Sequence, residues 1–354
     1  MTRLYLLIFF GTILTLATNS QAAVCSTTPY SVPARDQARL DRGTVGEWDN
    51  SFQQNLYTIE DIDGHPWNYF ALEKKPNNVE PKRLVLFLHG FPEFAWAWER
   101  QLSALGNDVH AVAIDLKGHH YSSSPEEIGE YNFLEVAWEM RALIKCLGYE
   151  KATIVGHDFG GAIAWTLGML HPDIVEGLVI LNAPHPYLFG RELLNANSSQ
   201  NELSRYIGYA QGTTLGDNLD FTFFMMHDTT ILQNDFYRGR RILRLLDENW
   251  LPTSRWKTMK NFYRAMPFPA SEADFPATLT DFQRRIYTVR APTLVLWGMQ
   301  DRYFTPHLLE GLSELVPHLE VVRYPNATHW IHHEIDDLNS RISAFLSQLP
   351  PPAN

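Results

Sequence analysis

Cysteine is nearly absent, with two in 354 residues. That excludes a disulfide scaffold and leaves a Cys25–Cys146 bridge open, since spacing alone does not fix a pairing. Long apolar runs are scarce as well. The one at residues 4–16 is short of the roughly 20 residues a membrane-spanning helix needs. It follows Arg3 and precedes Asn19-Ser20-Gln21-Ala22-Ala23, so residues 1–23 read as a secretory signal peptide. The mature chain is expected to be secreted or periplasmic, without a spanning segment. Charge of one sign never gathers in a block, and with a net charge of −11 a nucleic-acid partner is disfavoured. Repeats, low-complexity tracts, a Gly-rich nucleotide loop and clusters at metal-ligand spacing are missing too, so the sequence shows no cofactor or metal site.

Apolar residues make up 45% and aromatics 13%, enough for a large core. Residues 24–54 are polar and read as an irregular N-terminal extension. Residues 56–62 and 67–73 read as strands joined by the turn Asp63-Gly64-His65-Pro66. The runs 84–88, 111–114, 152–155 and 177–181 then alternate with helical patterns at 96–105, 131–147 and 162–167. Continuous apolar runs are how strands buried on both faces of a parallel sheet read. The alternation predicts an α/β, mostly parallel, doubly wound sheet with its active site at the carboxyl ends of the strands. Over residues 185–271 it stops, and patterns at 202–211, 217–228 and 231–248 predict an inserted helical lid. It resumes with strands at 292–297 and 319–324 and helices at 306–315 and 334–346. The core domain is therefore residues 55–184 and 272–350.

The segment Gly156-His157-Asp158-Phe159-Gly160-Gly161 joins a buried strand to a helix. Small residues on either side suit a sharp elbow that lifts the middle residue into a cleft. That residue is Asp158. A carboxylate is a weak nucleophile toward esters but a competent one toward sp³ carbon bearing a leaving group, and the product is an ester of the aspartate. The bland alternative is a glycine-rich turn with Asp158 capping the next helix. Asp301 follows the strand at 292–297, and His329 follows the one at 319–324. Nucleophile, acid and base thus come in the order of α/β hydrolases. Asp301 as a helix cap and His329 as a surface residue are the simpler readings that this order opposes. His332 and His333 rank below His329, while His89, His119, His120 and His157 are most simply structural.

His89-Gly90-Phe91-Pro92, the elbow, Gly298 with Asp301, and His329-Trp330 together resemble the motif set of α/β-hydrolase-fold epoxide hydrolases, over roughly residues 56–348. The resemblance implies an α/β-hydrolase fold and an oxyanion hole made by the main-chain N–H groups of Phe91 and Phe159, with a proline after Phe91 that is usually cis. It also implies two lid tyrosines that activate the epoxide oxygen, matched by Tyr206 and Tyr263, with Tyr209 the alternative to Tyr206. Two departures stand out. Phe159 replaces a frequent tryptophan, which counts against a haloalkane dehalogenase with an indole halide site. His120 stands where glycine is common.

What the resemblance implies is a small-molecule epoxide substrate opened to a diol through an ester on Asp158, hydrolysed by water that His329 and Asp301 activate, with no cofactor. The rivals are haloalkane or haloacid dehalogenation by the same ester route, and a ligand-binding protein or receptor on the same fold. Oligomeric state, substrate size and stereochemistry are not legible in the sequence.

Overall fold

Leu84, Leu86 and Leu88 pack into one apolar layer while Val85 and Phe87 pack into another, so a single strand is buried on both faces. It belongs to a sheet whose strands, in a computed structural model, are β1 (Cys25–Pro29), β2 (Gln53–Glu60), β3 (Pro66–Lys74), β4 (Arg83–Leu88), β5 (Val109–Ile114), β6 (Ala152–His157), β7 (Val175–Leu181), β8 (Thr293–Gly298) and β9 (Leu319–Tyr324). The structure describes residues 25–30, 52–76, 80–214, 255–266 and 275–351. The strand order is β1-β2-β3-β5-β4-β6-β7-β8-β9. Pairing is antiparallel from β1 to β3 and between β3 and β5, and parallel elsewhere. This is the expected α/β-hydrolase architecture.

Register brings the chemistry-bearing ends together. Leu88 pairs with both Ile114 and Gly156, so β4, β5 and β6 end level. Strands β5 and β6 flank β4 on opposite sides, which makes the end of β4 a switch point where a crevice opens. Helices Phe133–Cys146 and Phe159–Leu170 cover one face. Helices Glu99–Ala104 and Leu338–Gln348 cover the other.

Several expectations need correction. The extension at 24–54 is not wholly irregular: Cys25–Pro29 forms the edge strand β1, and β2 already starts at Gln53. Cys25 and Cys146 are paired, with Cα atoms 5.6 Å apart, so the edge strand is tied to the end of helix Phe133–Cys146. The helix expected at 306–315 is two short pieces, Pro306–Leu309 and Leu312–Leu315, separated by Gly311 at φ 81°, a conformation that glycine adopts without a Cβ clash. The helix at 334–346 starts instead at Leu338, after a separate turn Ile331–Glu334.

Between β7 and β8 the described residues form helices and no strand: Pro186–Leu194, Ser199–Leu203, Tyr206–Gln211, Arg255–Met259, Asn261–Ala265 and Asp281–Tyr287. The single helix expected at 202–211 is thus two helices. Those at 217–228 and 231–248 lie outside the described residues, as do residues 1–23. Among the described residues no helix is long and apolar enough to cross a membrane.

Candidate active site

Asp158 follows β6 with φ 50° and ψ −116°, a conformation most side chains avoid and one that costs of order 1–3 kcal/mol. The elbow holds it there because the first turn of the following helix meets the end of β4 at Gly160. The Gly160 N–H donates to the His89 carbonyl at 3.0 Å, and a Cβ on Gly160 would strike the Leu88 carbonyl. Asp158 precedes helix Phe159–Leu170 but its carboxylate does not cap that helix. It turns instead toward Phe91, whose N–H donates to Asp158 Oδ1 at 2.9 Å. The Phe91–Pro92 peptide is cis. Phe159 is the first residue of the helix, where main-chain N–H groups lack intrahelical acceptors and the helix end is partially positive.

The fold brings His329 and Asp301 to the same point. His329 Nε2 lies 3.8 Å from Asp158 Oδ2, and its Nδ1 lies 2.8 Å from Asp301 Oδ2. Asp301 also accepts from the N–H groups of Tyr303 at 2.7 Å and Phe304 at 3.0 Å. A carboxylate so placed accepts the Nδ1 proton, leaving the Nε2 lone pair directed at Asp158. All three side chains are buried.

Sequence reasoning missed Asn182. It follows β7 at φ 39°, donates to Asp301 Oδ2 at 2.6 Å and accepts from the Gly298 N–H at 2.8 Å. The signal available was an asparagine just past a strand, a residue that tolerates the left-handed region.

Tyr206 and Tyr263, from separate helices of the insertion, are both buried and hydrogen-bonded to each other. Tyr209 is 47% exposed. The Tyr263 ring centroid is 4.7 Å from that of Phe159 and 5.4 Å from that of Phe91, so it packs against both side chains. Burial, reinforced by the nearby Asp158 and Asp301 carboxylates, pushes the Tyr206 phenol well above its ordinary pKa. Burial, followed by Tyr206 and Asp158, does the same to Tyr263. Both phenols therefore carry their protons at neutral pH.

The remaining histidines fall elsewhere. His89 accepts from the Leu116 N–H at 2.9 Å, tying the ends of β4 and β5 together. Burial, with His89 beside it, lowers His119 to about 3. His120 adopts φ 38°, which explains why glycine suits that position, and its Nδ1 lies 2.8 Å from Asp115 Oδ2. His157, His332 and His333 surround Glu93 behind the triad. Burial alone would raise Glu93, yet His332, with hydrogen bonds from it and from His333, holds it well below the usual carboxylate range.

The model of the alpha/beta hydrolase fold family matches residues 83–335. Epoxide hydrolase 3 of Xenopus tropicalis is 28% identical over 277 residues, 75% of this chain and 71% of that protein. The AB hydrolase superfamily protein YfhM of Bacillus subtilis is 30% identical over 266 residues, 71% of this chain and 85% of that protein. A variant epoxide hydrolase from Bacillus megaterium, solved with its product (R)-3-[1]naphthyloxy-propane-1,2-diol, superposes with a TM-score of 0.68 at 28% identity, covering 82% of this chain and 100% of its own. With its sheet order and the match across residues 83–335, the chain is a hydrolase of the α/β-hydrolase-fold epoxide hydrolase family.

Proposed function

We propose that the protein opens a small epoxide to a vicinal diol through a covalent ester on Asp158. Tyr206 and Tyr263 hydrogen-bond the epoxide oxygen while Asp158 Oδ2 attacks a ring carbon from the opposite side. The C–O bond breaks, the oxygen takes a phenolic proton, and an alkyl ester of Asp158 remains. His329, with Asp301 accepting its Nδ1 proton, then removes a proton from water, whose oxygen adds to the ester carbonyl. The Phe91 and Phe159 amides hold the resulting oxyanion. As it collapses the bond between the Asp158 carbonyl carbon and the alkyl oxygen breaks, that oxygen takes the proton from His329, and the proton of the new Asp158 carboxyl returns to the phenolate, so the diol leaves and the site is restored. The helical insertion acts as a lid that carries the two phenols.

The observation that carries this reading is the combination of an aspartate at the elbow with two buried, protonated phenols. An alkoxide leaving group is far more basic than a halide and needs a donor at the moment of ring opening. Halide release makes no such demand, and Phe159 has no indole N–H to offer a halide. The complete triad opposes a purely ligand-binding role. A panel of epoxides, haloalkanes and esters, scored for diol, halide and acid, tests the assignment. Diol from epoxides alone supports it, and halide release without diol overturns it.

Export to an oxidising compartment belongs to the same proposal. Its supports are the signal-like residues 1–23 and the Cys25–Cys146 disulfide, a bond that persists outside the reducing cytosol. N-terminal sequencing of exported protein should begin near Ala23 or Val24. An intact Met1 in a membrane fraction would contradict it.

A further inference from the structure

Glu93, His157 and His332 lie far apart in the sequence, but their ligand-capable atoms all come within 4.8 Å of one another behind the triad. Glu93 comes from the loop after β4, His157 from the end of β6 and His332 from the turn Ile331–Glu334. None of the three side chains is exposed. We infer that they form a binding site for a divalent transition-metal ion of the zinc type, a site that spacing along the sequence does not reveal.

The proton positions are the first support. His157 Nε2 is 2.9 Å from the His329 carbonyl oxygen, which can only accept, so Nε2 carries the proton. In the neutral ring Nδ1 is then a lone pair, and it points into the cluster 3.3 Å from Glu93 Oε2 without a hydrogen bond. A lone pair facing a carboxylate is relieved by a cation between them, a proton or a metal ion, and the metal content of the purified protein separates the two.

Distances are the second support. Tetrahedral zinc with bonds of about 2.0–2.1 Å sets its ligand atoms about 3.3 Å apart. Glu93 Oε2 is 3.3 Å from His157 Nδ1 and 3.1 Å from His332 Nε2, the spacing of two edges of that tetrahedron. His332 Nε2, also 3.1 Å from Oε1, gives up its hydrogen bond to Glu93 on taking the ion, its proton moving to Nδ1, which has no hydrogen bond of its own.

The surroundings also suit an ion. His333 Nε2, 2.7 Å from Glu93 Oε1, occupies the other carboxylate oxygen and leaves Oε2 inward. The His329 carbonyl fixes the tautomer and plane of His157. Such outer partners orient the ligands of metal sites. Trp98 packs its ring on His332 at 4.9 Å and Trp330 lies 5.6 Å from His157, which keeps the cluster dry. Two imidazoles with one carboxylate favour zinc, nickel or copper over magnesium or calcium. Because His157 also holds the carbonyl of the catalytic His329, an ion here would fix the backbone that carries the base.

The test uses full-length protein without a histidine tag, both purified from zinc-supplemented culture and stripped by chelator then exposed to zinc or cobalt. Wild type should retain one ion per chain by elemental analysis and melt at a higher temperature when loaded. Cobalt should give the intense visible bands of tetrahedral coordination. His332→Gln should abolish retention, and His333→Gln should weaken it about 10- to 100-fold. Substoichiometric metal in both wild-type preparations, equal retention by His332→Gln, or a pale octahedral cobalt spectrum would overturn the inference. The cobalt spectrum decides even where a variant fails to fold.

Discussion

The Phe91 main-chain N–H donates to Asp158 Oδ1 at 2.9 Å, while Asp158 Oδ2 stands free of that bond and 3.8 Å from His329 Nε2. The two carboxylate oxygens are therefore unlike before any substrate arrives. In the proposed mechanism Oδ1 is the oxygen on which ester hydrolysis develops negative charge, and Oδ2 is the one left to attack. The elbow conformation and the close meeting of the end of β4 with helix Phe159–Leu170 at Gly160 maintain this asymmetry.

The phenols give the first prediction. Removing one positioned acid typically costs about 10² to 10⁴ in rate. Two donors on one oxygen are partly redundant, so Tyr206→Phe and Tyr263→Phe should each slow alkylation strongly, and the double variant should be nearly inactive. Ester hydrolysis should change much less. Stopped-flow measurement of both steps, with circular dichroism to confirm folding, checks this. Wild-type alkylation in both single variants would remove the case for phenolic activation.

Asn182 gives the second. Its amide feeds Asp301 Oδ2, the oxygen that also faces His329 Nδ1. Loss of such a buried partner costs about 1–3 kcal/mol, roughly 5-fold to 150-fold in an equilibrium or a rate. Asn182→Ala should slow ester hydrolysis within that range and leave alkylation by Asp158 nearly intact. Single-turnover kinetics separate the steps, and equal slowing of both would point to a merely structural role.

A third prediction concerns acid stability. His185 caps helix Pro186–Leu194 by accepting from the Tyr187 N–H at Nδ1, and its Nε2 lies 3.0 Å from the Tyr287 carbonyl. Only the neutral ring fits both bonds, and burial lowers its pKa to about 3. In the unfolded chain it takes up a proton near its ordinary 6.5. Between these values the unfolded state binds more protons, so stability falls as pH falls through that window. His185→Asn, which keeps an N-cap acceptor, should lower the slope of unfolding free energy by up to about 1.4 kcal/mol per pH unit. Urea titrations at about pH 6 and pH 4 measure it, and an unchanged slope contradicts it.

The disulfide supplies the fourth. It closes a loop of 121 residues between the edge strand β1 and the end of helix Phe133–Cys146. Reduction, or Cys25→Ser with Cys146→Ser, should cost about 2–4 kcal/mol of stability. The triad residues follow β6, β8 and β9, five or more places along the sheet from the edge strand β1, so turnover of the folded variant should stay near wild type. Denaturant melts with activity assays test both halves, and a large activity loss in the folded variant would contradict the second.

What was legible in the sequence was what is local or periodic. The apolar runs of β4, β5, β6 and β8 stand out because both faces are buried, and the elbow is a single hexapeptide. Strand β1 was missed because Cys25-Ser26-Thr27-Thr28-Pro29 lies fully exposed at the sheet edge, where no apolar alternation is required. The contribution of Asn182 and the gathering of Glu93 with His157 and His332 depend on contacts between strand ends far apart in the chain, which no spacing encodes. The choice between Tyr206 and Tyr209 depended on packing: one turn apart, one is buried and the other exposed.

The central claim is that Asp158 itself becomes bonded to substrate. The most direct measurement is a single turnover in heavy-oxygen water, paired with intact mass of His329→Gln after exposure to an epoxide. The account predicts that the first diol carries no label, its new oxygen coming from Asp158, and that the variant gains one substrate mass located on Asp158. Label in the first-turnover diol, with no adduct on the variant, would mean that water attacks the epoxide directly and would contradict the account.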